Sequence, residues 1–189
     1  DFTLTDGSTK TVPIMHQTDS FGYFAGQGYQ AVNLPYSDGS TSMLILMPAA
    51  GSLDQFESNL TADVLQKTID GLSTAEVRLS MPLFKIESSF DLGSTLTQLG
   101  MDAAFDPQKA DFSAMDGSHD LSISSVVHKA YVNVDEEGTE AAAATGVIVG
   151  VTSMPMQEII ELNLDHPFVF FIMDNLNGAV LFMGRVANP

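Results

Sequence analysis

The 189 residues carry 24 Asp and Glu against 7 Lys and Arg, a formal net charge of −17, and no cysteine. Nucleic acid and anionic membrane surfaces both demand clustered Lys and Arg, so this balance excludes them as partners. Hydrophobic residues make up 44% of the chain, no apolar run reaches the length of a bilayer span, and the length suits one domain with a sizeable core.

The first fifty residues read as β. Short apolar or alternating runs at 3–5, 11–15, 21–25, 29–34 and 43–47 are separated by the turn signals Asp6-Gly7, Gly26-Gln27-Gly28 and Ser37-Asp38-Gly39-Ser40. The run 43–47 is apolar on both faces, as in a buried strand. Leu53, Phe56, Leu60, Val64, Leu65, Ile69 and Leu72 recur at helical spacing. They predict one or two amphipathic helices over 52–72, with Ser52 as N-cap and Gly71 as stop. Asn59-Leu60-Thr61 has the form of a glycosylation acceptor, but it falls inside that expected helix and reads as chance.

Residues 76–86 predict a long strand with a bulge or an edge at Pro82. A short helix over 91–100 follows, with Leu92, Leu96 and Leu99 on one face and Gly100 as C-cap. A polar loop leads to a very long strand over 121–135, and strands at 159–164, 168–173 and 179–186 close the chain. No repeat and no interdomain linker is evident. The fold class is α+β, strand-dominated, in a single domain with two or three helices.

One stretch fits no single structure. In Val134-Asp-Glu-Glu-Gly-Thr-Glu-Ala-Ala-Ala-Ala-Thr-Gly146 the four alanines favour helix, while Gly138 and Gly146 leave room for barely two turns. Beyond Gly146, β-branched residues at 147–149, 151 and 152 favour a strand. Small residues ending in a strand-former can be exposed in one state and buried as a strand in another.

Nothing in the sequence points to catalysis. His16, His119, His128 and His166 share no metal-ligand spacing, and there is no Gly-x-Ser-x-Gly elbow or phosphate-cradling loop. The expectation is a protein that is not an enzyme and has no cofactor and no metal.

Four blocks resemble the C-terminal half of a serpin. The segment 126–145 is similar to that family's central strand running into the hinge of its reactive loop. Asp165-His-Pro-Phe-Val-Phe-Phe-Ile172 with Leu181-Phe-Met-Gly-Arg-Val-Ala-Asn-Pro189 is similar to its C-terminal signature. Two weaker blocks, Leu96 to Met101 with Ala110 to Met115 and Met43 to Pro48, stand in the right order. The resemblance implies the serpin fold over 1–189, as the C-terminal part of one domain, with 134–158 as the reactive loop. It implies a suicide substrate: a target serine protease cleaves the loop and forms a covalent complex, and the loop inserts as a new strand into the central sheet.

By the same resemblance Glu136, Glu137, Gly138, Thr139, Glu140, Ala141, Ala142, Ala143 and Ala144 form the hinge, and His128 is the shutter histidine. The scissile bond falls at Thr152–Ser153, fourteen positions beyond Gly138, with Met154 and Met156 as alternatives. Val149, Gly150, Val151 and Met154 would meet the protease. From Ala130 to Gly184 there is no Lys or Arg, so the target is expected to be elastase-like or subtilisin-like. The alternative is a non-inhibitory serpin-fold binding module or an inactive fragment. Placement is expected to be extracellular. The family's N-terminal half is expected as a separate chain or a missing segment. A lysine that the family often pairs with Glu136 corresponds here to Leu83, with Lys85 as the available substitute.

Overall fold

Residues 1–136 and 159–189 are described by the computed structural model. In chain order they form β1 (Phe2–Thr3), β2 (Thr9–Lys10), β3 (Ile14–Ala25), β4 (Tyr29–Pro35), β5 (Thr41–Pro48), α1 (Leu53–Asn59), α2 (Ala62–Asp70), β6 (Ser73–Pro82) and β7 (Phe84–Asp91). Next come α3 (Gly93–Leu96), a π turn (Thr97–Met101), α4 (Asp102–Phe105), α5 (Ser113–Asp116), β8 (Val127–Val134), β9 (Ile160–Asn163), β10 (Phe168–Asp174) and β11 (Val180–Val186). The chain divides into two units, Asp1–Phe84 with Val134–Pro189, and Lys85–Asn133.

The first unit is built on a seven-stranded sheet in the order β11-β10-β5-β4-β3-β6-β9. Every pair is antiparallel except β6 with β9. Strand β5 lies between β4 and β10, and Ser42 to Pro48 are buried throughout, as a run apolar on both faces requires. Period-2 alternation then sorts the core. Ala31, Leu44, Leu46, Val169, Phe171 and Met173 share one face with Leu53, packed by Phe56, Leu60, Leu65 and Ile69 of the α1–α2 region. Phe168 and Phe170 belong to the other face and meet the Phe84 ring at 5.9 and 5.5 Å.

Local chemistry sets the connections. In the β4–β5 hairpin Gly39 takes φ 67°, a conformation glycine adopts without a steric penalty. Asp38 Oδ1 there accepts the Ser40 backbone N–H at 3.0 Å, and the Ser40 hydroxyl donates to Asp38 Oδ2 at 2.6 Å. Ser52 stands at the N-cap of α1, but its hydroxyl donates to the Ala49 carbonyl and caps nothing in the helix. Gly71 stops α2 as expected.

Several expected boundaries move. The runs at 11–15 and 21–25 join through polar residues into one 12-residue strand, β3, because β6 pairs along it from Ile14 to Tyr23. The long strand over 76–86 divides at Leu83: Pro82 ends β6, and the chain passes into the separate β7–β8 sheet. Proline has no N–H to continue a ladder. The helical region 52–72 breaks at Leu60, whose backbone is extended (φ −76°, ψ 102°).

In the second unit the helix expected over 91–100 is broken at Gly100, which takes φ 98° as its expected place at the helix end requires, and α4 follows beyond that kink; Leu99, expected on the packed face, is exposed. The strand expected from residue 121 begins only at Val127. The intervening backbone is held by helical neighbours instead: Ile123 N–H donates to the Ala104 carbonyl, and the Val126 carbonyl accepts from Leu92.

Candidate functional site: the two ends of the segment 137–158

Strand β8 delivers the chain to this segment. Val132 and Val134 are buried on it, while His128, Lys129 and Tyr131 are exposed. The strand pairs with β7 on one edge, and no second strand is paired with it among the described residues. Lys85 of β7 is held by Glu87 at 3.2 Å and lies 5.2 Å from the centre of the Tyr131 ring. The Glu87 hydrogen bond, followed by the Tyr131 and Glu87 charges, raises the Lys85 pKa above its ordinary value. Within its own unit Lys85 thus has Glu87 and Tyr131 as partners. His128, expected to need shutter partners, is solvent-exposed.

Beyond β8, Val134, Asp135 and Glu136 line a cavity of about 550 Å³ in the first unit. Its apolar lining includes Met15, Met43, Leu79 and Met81, and His16 also lines it, with Nδ1 3.1 Å from the Ser80 hydroxyl. On the far side of the segment, β9 returns in parallel alongside β6, with Val77, Arg78, Leu79 and Ser80 opposite Ile160, Glu161, Leu162 and Asn163. Leu162 is buried, and Arg78 forms an ion pair with Glu161. The trailing end of the segment is thus tied to β6 by a strand ladder, while the leading end shares a cavity lining with Leu79 and Met81 of β6.

The remaining hinge residues Glu137 to Ala144, the recognition residues Val149, Gly150, Val151 and Met154, and the bond Thr152–Ser153 lie outside the described residues. Glu136 and His128 are described, in the first and second units respectively. The β6 tether was not foreseen. Alternation identifies β6 and β9 as strands but carries no sign of which strand pairs with which. Also unforeseen was the role of His166, whose ring lies between the Asp165 carboxylate (Nδ1, 2.7 Å) and the Pro48 carbonyl (Nε2, 2.8 Å), fastening the β9–β10 connection to the end of β5. Among the described residues no group of three or more His, Asp or Glu side chains is placed to hold a metal.

The sequence profile described as "Serpin (serine protease inhibitor)" matches residues 1–189. This chain belongs to the serpin family. Leukocyte elastase inhibitor A of Mus musculus is 42% identical over 197 aligned residues, covering 100% of this chain and 52% of that protein. An uncharacterized serpin-like protein of Thermococcus kodakarensis is 41% identical over 183 residues, 96% of this chain and 42% of that one. Among solved structures, the thermophilic serpin tengpin in its native state superposes with a TM-score of 0.79 at 32% identity. The match covers 100% of this chain and 49% of tengpin. Thyroxine-binding globulin in complex with thyroxine gives 0.81 at 29% identity, with 49% of that chain covered. This serpin chain therefore spans about half the length of the relatives it matches. Its fold is the serpin fold, strand-rich with one large mixed sheet and few helices.

Proposed function

We propose that this chain is the reactive-loop half of an inhibitory serpin, a suicide substrate for an elastase-like or subtilisin-like serine protease. One observation carries the reading: β8 leads directly toward residue 137, and its second edge has no strand among the described residues. A segment leaving the end of β8 and folding back along that edge would add an antiparallel strand, with main-chain hydrogen bonds supplying the affinity.

The sequence of the segment suits insertion. In an added strand Thr139, Ala141, Ala143, Thr145, Val147, Val149 and Val151 share one uncharged face. Burying the three valines contributes roughly 1.5–3 kcal/mol each. Glu140 falls on the opposite face, so no carboxylate is desolvated on the inner one. Cleavage is proposed at Thr152–Ser153, with Met154 and Met156 as alternatives, and the absence of Lys and Arg from 130 to 184 supports an apolar specificity pocket in the target.

The N-terminal half of the serpin domain, as a separate chain or a preceding segment, is proposed to complete the fold. Exposed apolar side chains support this: Phe90, Val127 and Tyr131 in the second unit, and Leu181, Phe182 and Met183 on the edge strand β11 of the first. Such surfaces are covered in stable proteins. Placement is proposed to be extracellular.

The test is to mix the full serpin with elastase or subtilisin. A covalent complex that survives SDS, with a released peptide beginning at Ser153, is expected. Plain digestion without a complex would overturn the inhibitory reading. Cleavage that also leaves the melting temperature unchanged would favour a non-inhibitory serpin-fold binding module.

A further inference from the structure

The structure changes the meaning of Asn59-Leu60-Thr61, the one Asn-x-Ser/Thr triplet with no central proline in the chain. A transferase that recognises this triplet must reach the Asn amide and the hydroxyl two residues on at the same time. In a helix, residues i and i+2 point to nearly opposite sides, whereas in extended chain they share a face. The triplet straddles the end of a helix instead of lying within one. Asn59 is the last residue of α1, Leu60 is extended, and Thr61 is extended (φ −112°, ψ 167°) as the N-cap of α2. Asn59 and Thr61 are both exposed.

Neither side chain is committed to the core. Asn59 Nδ2 donates to the Gln55 carbonyl at 2.9 Å, and the Thr61 hydroxyl accepts from Val64 N–H at a long 3.3 Å. Both contacts are exposed and local, so a bulky group on Asn59 would project into solvent without displacing packed atoms.

We propose that Asn59 is an N-linked glycosylation site, the α1–α2 junction being the place where this fold presents the acceptor. This rests on the extracellular placement proposed above and is independent of inhibitory activity. The donor is a lipid-linked oligosaccharyl pyrophosphate. Asn59 Nδ2 bonds to the anomeric carbon, the bond from that carbon to the pyrophosphate oxygen breaks, the lipid pyrophosphate leaves, and one amide proton is lost to base.

The test is export of the full serpin into a bacterial periplasm equipped with an oligosaccharyltransferase and its lipid-linked donor, followed by intact-mass and peptide-mass analysis. An oligosaccharide is expected on the Asn59 peptide. Thr61→Ser should keep the modification, because it keeps the hydroxyl, and Thr61→Val should abolish it. Exported, folded protein whose Asn59 peptide is entirely unmodified overturns the proposal, as does equal modification of Thr61→Val. SDS-stable complex formation with elastase, measured on the same samples, reports separately on the inhibitory reading.

Discussion

Thr68 offers the sharpest test of how the helices are fastened to the sheet. It is fully buried in α2. Its hydroxyl donates to the Val64 carbonyl at 2.8 Å and stands 2.7 Å from the Tyr29 hydroxyl at the start of β4. With the Thr68 proton committed to Val64, Tyr29 must be the donor in the second bond. Thr68→Val replaces the hydroxyl with a methyl group of similar size, so it opens no cavity. It leaves the part-buried Tyr29 hydroxyl without its acceptor, at a cost of about 1–3 kcal/mol. Tyr29→Phe removes only a donor and keeps the ring against Phe24 and Phe56, at 6.0 and 5.1 Å. Its expected cost is about 0.5–1.5 kcal/mol.

Once Thr68→Val is present, removing the Tyr29 hydroxyl relieves an unsatisfied donor. The double variant should therefore cost no more than Thr68→Val alone, a coupling of about 1 kcal/mol. Equilibrium urea unfolding of the four proteins measures the cycle, and each kcal/mol should appear as about 2–4 °C in melting temperature for a protein of this size. Strict additivity, or a neutral Thr68→Val, would refute the relay.

Three further outcomes follow from other parts of the fold. Gly184 lies opposite Phe170 across the β10–β11 pair, and a Cβ there would sit 2.8 Å from two atoms of that ring. Gly184→Ala should therefore lower the unfolding free energy by about 1–3 kcal/mol. At the trailing tether, Leu162→Ala should cost about 2–5 kcal/mol, while Arg78→Ala, which breaks an exposed ion pair, should cost about 0–1 kcal/mol. If urea unfolding gives the reverse order, the ion pair rather than burial holds β9 to β6.

The carboxyls of Asp6, Asp38 and Asp116 are held below the usual carboxylate range by hydrogen bonds from Ser8, Ser40 and Ser118. Their folded pKa values are depressed, so their stabilisation is present above the unfolded carboxylate pKa and is lost as pH falls through the folded values. Carboxyl carbon NMR titration should show the Asp38 value rising toward normal in Ser40→Ala; no change would contradict the assignment.

What the sequence determined by itself was what local pattern can carry. The buried character of 43–47, the stop at Gly71, the three C-terminal strands and the Asp38-Gly39-Ser40 turn all follow from periodicity or from side chains bonding to their own backbone. The serpin resemblance rested on the hinge block and the C-terminal signature, which persist as residues whatever they contact. The tertiary structure decided what depends on partners distant in sequence. It joined the polar middle of β3 into one strand because β6 pairs along it, and cut back the strand from residue 121 because the 121–126 backbone bonds elsewhere. It gave Lys85 to Glu87 and Tyr131, and tied the trailing end of the segment 137–158 to β6. It also broke the helical region at Leu60, leaving Asn59 exposed at the end of α1 and Thr61 exposed on extended chain. Helical periodicity runs straight through that break, because Leu60 packs on the core whether or not the backbone around it is helical.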